Sequence, residues 1–173
     1  MALDQVNFGL LILRVVVGGT MMMHGYNHVF RGGKIAGTGR WFESLGMKPG
    51  VLHAWLASGT ELAAGAGLVL GLLTPIAAGA CAGVMLVALT VNHRKNGFFI
   101  FRPGEGYEYV LNLAIACFAI ACVGAGQWSI DDKINFQLHH WWGLIAALIV
   151  GVGGTVALLV TFWRPPAPKP AES

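Results

Sequence analysis

Apolar residues in this chain gather in long runs, and polar residues are confined to the connections between them. Five runs stand out, at residues 7–28, 52–72, 75–92, 107–125 and 141–163. A helix of about 20 apolar residues crosses the hydrocarbon core of a bilayer, so each run predicts a transmembrane helix and the chain reads as an all-α polytopic membrane protein. The opening segment MALDQVNF lacks the basic stretch of a secretory signal, so the first span is expected to be retained. Basic residues set the orientation. With the N-terminus outside, Arg31, Lys34, Arg40, Lys48, Arg94, Lys95, Arg102, Arg164 and Lys169 fall on the inner side and Lys133 alone on the outer side, which predicts N-out and C-in.

Within the apolar runs a few polar residues need explaining. Arg14 lies inside the first run and Glu61 inside the second. An intramembrane charge normally faces the bundle interior and has a partner. Counting about 1.5 Å per residue from the inner ends puts the two at comparable depth, so an Arg14–Glu61 ion pair is expected. It reads either as a structural pin or as part of a polar-headed ligand site. A second group follows from topology: His24 and His28 end span one, His53 opens span two, His93 ends span three and Glu108 opens span four, all near the inner surface. These residues are read as interfacial side chains satisfied by carbonyls and water, as a proton-transfer site, or as a metal or haem site. Haem and metal are disfavoured because axial ligands lie deeper and no C-x-x-C-H occurs.

The connections carry their own signals. In TGRWFESLGMKPG, Thr38 can cap a short interfacial helix with Trp41, Phe42 and Leu45 on one face. Pro49 suits the first turn of span two, and Thr74 with Pro75 suits the start of span three. Small residues at Ala63, Gly67 and Gly71, at Gly79 and Gly83, and at Ala147 and Gly151 allow close helix approach. The outer segment GAGQWSIDD leads through Asp131 and Asp132 to His139 and His140, read as a solvated loop before span five. The tail RPPAPKPAES is too polar and Pro-rich to fold.

Composition agrees. Hydrophobic residues make up 55% and charged residues 11%, less than half the roughly 25% of an average soluble domain. No basic stripe tracks a phosphate backbone, so nucleic acid is not an expected partner. Cys81, Cys117 and Cys122 sit in apolar runs without a C-x-x-C and read as buried thiols. Nucleotide-binding and hydrolase motifs are absent.

Taken together, LLILRVVVGGTMMMHGYNHVF, FESLGMKPG, ELAAGAGLVLGLLTPIAA, GYEYVLNLAIA and GAGQWSID resemble the DoxX family of small bacterial membrane proteins over residues 8–131. The resemblance implies a four-helix membrane core at residues 1–131, with Arg14, His24, Glu61, Glu108 and Asp131 at the family's polar positions. Residues 132–163 would add an outer loop and a fifth C-terminal transmembrane helix, and 164–173 a disordered cytoplasmic tail. Asp131 is expected to cap or orient the end of span four, or to dock a partner. The family name further implies a location in the bacterial plasma membrane and an integral subunit that anchors or completes a larger assembly of membrane proteins, a quinone-linked redox complex. The alternative is a stand-alone binder or carrier of quinone or lipid. A quinone-linked oxidoreductase acting alone ranks third, because no electron-transfer cofactor motif is present.

Overall fold

A computed structural model describes residues 3–136 and 138–166. Lys169 and the rest of the tail from residue 167 lie outside the described residues. Among the described residues the regular elements are all helices, joined by loops, apart from one isolated bridge between Met47 and Trp163. In order, the elements are α1 (Leu3–Phe30), α2 (Lys34–Ser44), α3 (Gly50–Leu70), α4 (Thr74–Ala88), α5 (Glu108–Val123), the single turn α6 (Ile130–Lys133), α7 (His140–Leu148) and α8 (Gly154–Phe162). A π-helical turn, Leu89–His93, extends α4, and a second, Ile149–Gly153, joins α7 to α8 into one long helix. Among the described residues, three helices are long and apolar enough to cross a membrane: Leu3–Phe30, Thr74–Asn96 and His140–Phe162.

Glycines set the helix register. A Cβ added to Gly18 would lie 2.5 Å from the Gly65 carbonyl oxygen, and one on Gly25 would lie 2.9 Å from the Ser58 carbonyl oxygen and 3.1 Å from the Glu61 Cβ. Helices α1 and α3 therefore run antiparallel at backbone contact, which dispersion favours when lipid gives no hydrophobic drive. The face used on α3 is that of Gly65, offset from the Ala63 and Gly67 face read from the sequence.

The long helix from His140 to Phe162 packs on its own chain. Gly79 of α4 meets the backbone of Ala147, Gly83 meets Gly151, and Thr155 Oγ1 donates to the Gly83 carbonyl at 3.1 Å. The stepwise match of 79 with 147 and 83 with 151 makes α4 and this helix parallel. Gly143 lies against the Ala121 carbonyl near the end of α5. The core is built around α4 and α5, with Leu68, Ala78, Cys81, Val110, Cys117 and Ala121 fully buried.

Local starts and stops differ from the sequence reading in three places. Thr38 lies inside α2, and its hydroxyl donates back to the His28 carbonyl at 3.2 Å rather than capping the helix. Pro49 is the residue before α3, not part of its first turn. Leu73, not Thr74, occupies the cap position of α4, with φ of +47° and no side-chain cap of its own. Asp131 makes good that lack.

Candidate functional site

The two intramembrane charges stand at opposite ends of the α1–α3 pair. Arg14 is 0% exposed and reaches the end of the bundle expected to be outer, where Nη2 donates to the Trp128 carbonyl at 2.6 Å and Nη1 packs against Gly71. Gly71 has φ of +65°, and any side chain there would collide with the guanidinium, so glycine is required twice over. Asp131 lies just beyond. Its carboxylate accepts from Leu73 N at 2.6 Å and Thr74 N at 2.8 Å, while its own N–H donates to the Gly71 carbonyl at 2.8 Å. A residue from the loop after α5 thus caps α4, where the helix dipole favours a carboxylate. Asp131 also attracts the Arg14 charge through space without a direct ion pair. Asn7 and Gln127 complete this end with two mutual hydrogen bonds, at 2.8 and 2.9 Å.

Glu61, 3% exposed, belongs to the other end. Its Oε2 lies 3.7 Å from His28 Nε2. The expected Arg14–Glu61 pair does not form, and the glycine register explains why. Arg14 stands level with Gly71 and Glu61 level with Gly25, so ten residues of α3, about 15 Å, separate the two. No arginine side chain spans that distance. Asp131 likewise caps the start of α4 and not the end of α5, which closes on Gly124.

Glu61 opens onto a cavity of about 330 Å³ at the inner end of the bundle. His24, His28, His53 and His93 all line it, so the structure does gather the four histidines that topology brings to this surface. Glu108 is not among them. Its carboxylate instead accepts from Ile100 N at 3.2 Å and holds the loop before α5. Tyr109, the next residue in the chain, takes the place expected of Glu108. Tyr109 lies within the fourth apolar run and Met47 in the GMKPG segment, and neither carries a spacing signal that points to the cavity.

Hydrogen bonding fixes the state of two rings. His93 Nδ1 lies 2.9 Å from the Glu105 carbonyl, which can only accept, so Nδ1 carries the proton and Nε2 accepts from Tyr109 Oη at 3.1 Å and from Asn92 Nδ2 at 3.3 Å. The ring of Tyr109 also lies parallel to that of His24, with centroids 6.3 Å apart. His53, 3% exposed, directs Nε2 toward the Lys48 carbonyl at 3.4 Å, so Nδ1 is left as an acceptor without a partner among the described residues. Remaining walls are apolar: Leu56 and Ala57 of α3, Val84 and Val87 of α4, Leu158 of α8, and Trp41 and Phe42 of α2.

Both π-helical turns border this cavity. Val91, Asn92 and His93 come from one, and Val150 from the other, followed by Gly154 and Thr155. Such turns interrupt regular hydrogen bonding and recur at functional sites. Among the described residues, no three His, Cys, Asp or Glu side chains converge as a metal site.

Comparison with curated proteins and with solved structures yields no match. A family model described as DoxX matches residues 9–94, which span α1 to the end of α4 and include Arg14, His24, His28, His53, Glu61 and His93. Glu108 and Asp131 lie beyond the matched stretch. With its apolar helices and this match, the chain belongs to the DoxX family of membrane proteins.

Proposed function

We propose that this protein crosses the bacterial plasma membrane five times, N-terminus outside and C-terminus cytoplasmic, and binds a lipophilic molecule with a hydrogen-bonding head, of the quinone class, in the inner cavity. The observation that carries the reading is the cavity itself: about 330 Å³ of space, apolar on most sides, into which Glu61, four histidines and Tyr109 are brought from four different helices. Ligand sites have this composition, apolar walls with a few converging polar groups, and a volume in this range. Volume alone is not the signal, since about 310 Å³ also opens beside Asn7, Gln127 and Asp131; the inner cavity is set apart by its mostly apolar walls around four histidines, Glu61 and Tyr109.

The five-span topology is supported by the alternating helix directions and by the basic residues, which collect where α1 ends, α3 begins, α4 ends and α5 begins. Chemically, the Tyr109 hydroxyl and the histidines can exchange protons with a bound head group, and Glu61 beside His28 can take up or release one. No electron-transfer step is assigned to the chain's own residues. The reading as an accessory subunit of a quinone-linked complex rests on the family name; the helix most free to recruit a partner, His140–Phe162, packs within its own bundle.

Purification in mild detergent followed by mass spectrometry of retained small molecules tests the proposal, together with thermal unfolding on addition of an alkyl-tailed quinone. Binding at a hundredfold excess over Kd raises stability by about 2.7 kcal/mol. No retained lipophile and no shift would overturn it; stoichiometric protein partners in the same sample would favour the subunit.

A further inference from the structure

Resting on that reading, we infer that the cavity is entered sideways from the bilayer, through the cleft between α3 and α8, and that its ligand is a head-and-tail molecule whose hydrocarbon tail stays in this cleft. Helix α3 and α8 face each other across the cavity without packing together, whereas each packs on α4. Their inner ends are pinned. The Lys48 N–H donates to the Phe162 carbonyl, the Trp163 indole donates to the Leu45 carbonyl at 2.9 Å, and the His53 and Phe162 rings meet at 5.0 Å. Toward the bilayer interior the pinning stops. Leu56, one of the cavity's walls, is 47% exposed, and Gly154 opposite is exposed as well. These residues lie about 9 Å from the start of α3 and about 12 Å from the end of α8, within the hydrocarbon rather than at its surface.

Gly154 is the informative position. A Cβ placed there would meet nothing within 4 Å, although the residue borders the cavity. Close helix packing does not explain this glycine, as it does Gly79 or Gly83. An absent side chain at a cavity rim leaves an opening. The volume argues the same way: about 330 Å³ is near the lower limit for a ligand site, enough for a ring and its substituents but not for a long chain besides. A tail must leave, and the apolar Leu56–Gly154 cleft is where lipid can receive it.

The test compares binding of an alkyl-tailed benzoquinone and of the same ring without its tail, to the full-length protein in detergent, by thermal shift and by displacement titration. Gly154→Phe fills the cleft without meeting a neighbour. Gly153→Phe, next to it, is equally unobstructed and exposed but does not border the cavity, and serves as the control. Leu56→Trp narrows the opening from the other wall. Expected is a loss of tailed-quinone affinity of about tenfold or more in Gly154→Phe and Leu56→Trp, larger than any loss for the tail-less ring, with Gly153→Phe unchanged toward both compounds. Equal binding of the tailed quinone to Gly154→Phe and Gly153→Phe would overturn the lateral entry and leave the cavity reading standing. If neither compound binds the unaltered protein, the reading on which it rests falls first.

Discussion

The outer and inner ends of this bundle use the same kinds of residue, buried charges and hydrogen-bonding side chains, in opposite ways. At the outer end Asp131 holds two backbone N–H groups at 2.6 and 2.8 Å, Arg14 reaches a carbonyl at 2.6 Å, and Gly71 leaves room for nothing else. At the inner end Glu61 and His28 stand 3.7 Å apart beside open space; among the described residues, buried polar atoms without a hydrogen-bond partner occur at both ends, His53 Nδ1 here and Arg14 Nε, Arg14 Nη1 and Thr74 Oγ1 there. Short bonds to backbone mark polar groups that fold a chain, although space of about 310 Å³ also opens beside Asn7, Gln127 and Asp131. The long Glu61–His28 contact beside a cavity fits groups that meet a ligand, as proposed above. A charge inside a membrane is thus informative only once its neighbours are known.

Several changes would break or sharpen this contrast. The largest effect is expected from Asp131→Ala, which uncaps α4 and leaves Arg14 buried without its nearest carboxylate. Each backbone N–H left unpaired costs about 1–3 kcal/mol, so thermal unfolding in detergent should show a strongly destabilised protein. A mild effect would mean that the outer end is not the structural one.

Gly25→Ala should come next. Its methyl would fall 2.9 Å from the Ser58 carbonyl and 2.8 Å from Leu62, forcing α1 from α3 at a cost of about 1–3 kcal/mol. Because Gly25 lies level with Glu61, the same change should weaken ligand binding, unlike a similar strain placed at the outer end.

Glu61→Gln should separate the two ends most clearly. It keeps the side chain's shape and leaves His28 free to remain neutral, so stability should fall by only about 1 kcal/mol. Stabilisation by an added tailed quinone should be lost. Large unfolding with binding retained in the surviving fraction would reverse the assignment of roles.

The smallest expected effect is an absence of coupling. Arg14→Leu and Glu61→Leu should be additive within about 0.5 kcal/mol in a double-mutant cycle, because the residues share no partner and lie far apart. A larger interaction energy would restore the direct pair that the helix register rules out.

Much of the fold was legible without coordinates. Runs of apolar residues mark helices because the backbone must satisfy itself in hydrocarbon, and they placed α1, α3, α4, α5 and the His140–Phe162 helix to within a few residues. Topology then brought His24, His28, His53 and His93 to one end, since alternating direction alone dictates which termini meet. Residues 34–44 gave an amphipathic helix of the expected kind, with Phe42 and Leu45 buried, although Thr38 does not begin it.

What the sequence could not determine was which polar groups touch. Pairing Arg14 with Glu61 required the axial offset of α1 on α3, and that offset is set by where Gly18, Gly25 and Gly65 let two backbones meet, a shape property that depth counting averages away. Asp131 reaches Leu73 and Thr74 across some 57 intervening positions, a contact with no local signature. Nor does any spacing announce a void: the cavity exists because α3 and α8 both lean on α4 and not on each other. Hydropathy is a property of segments and fixed the helices; register and empty space are properties of pairs and triples of helices, and only packing decided them.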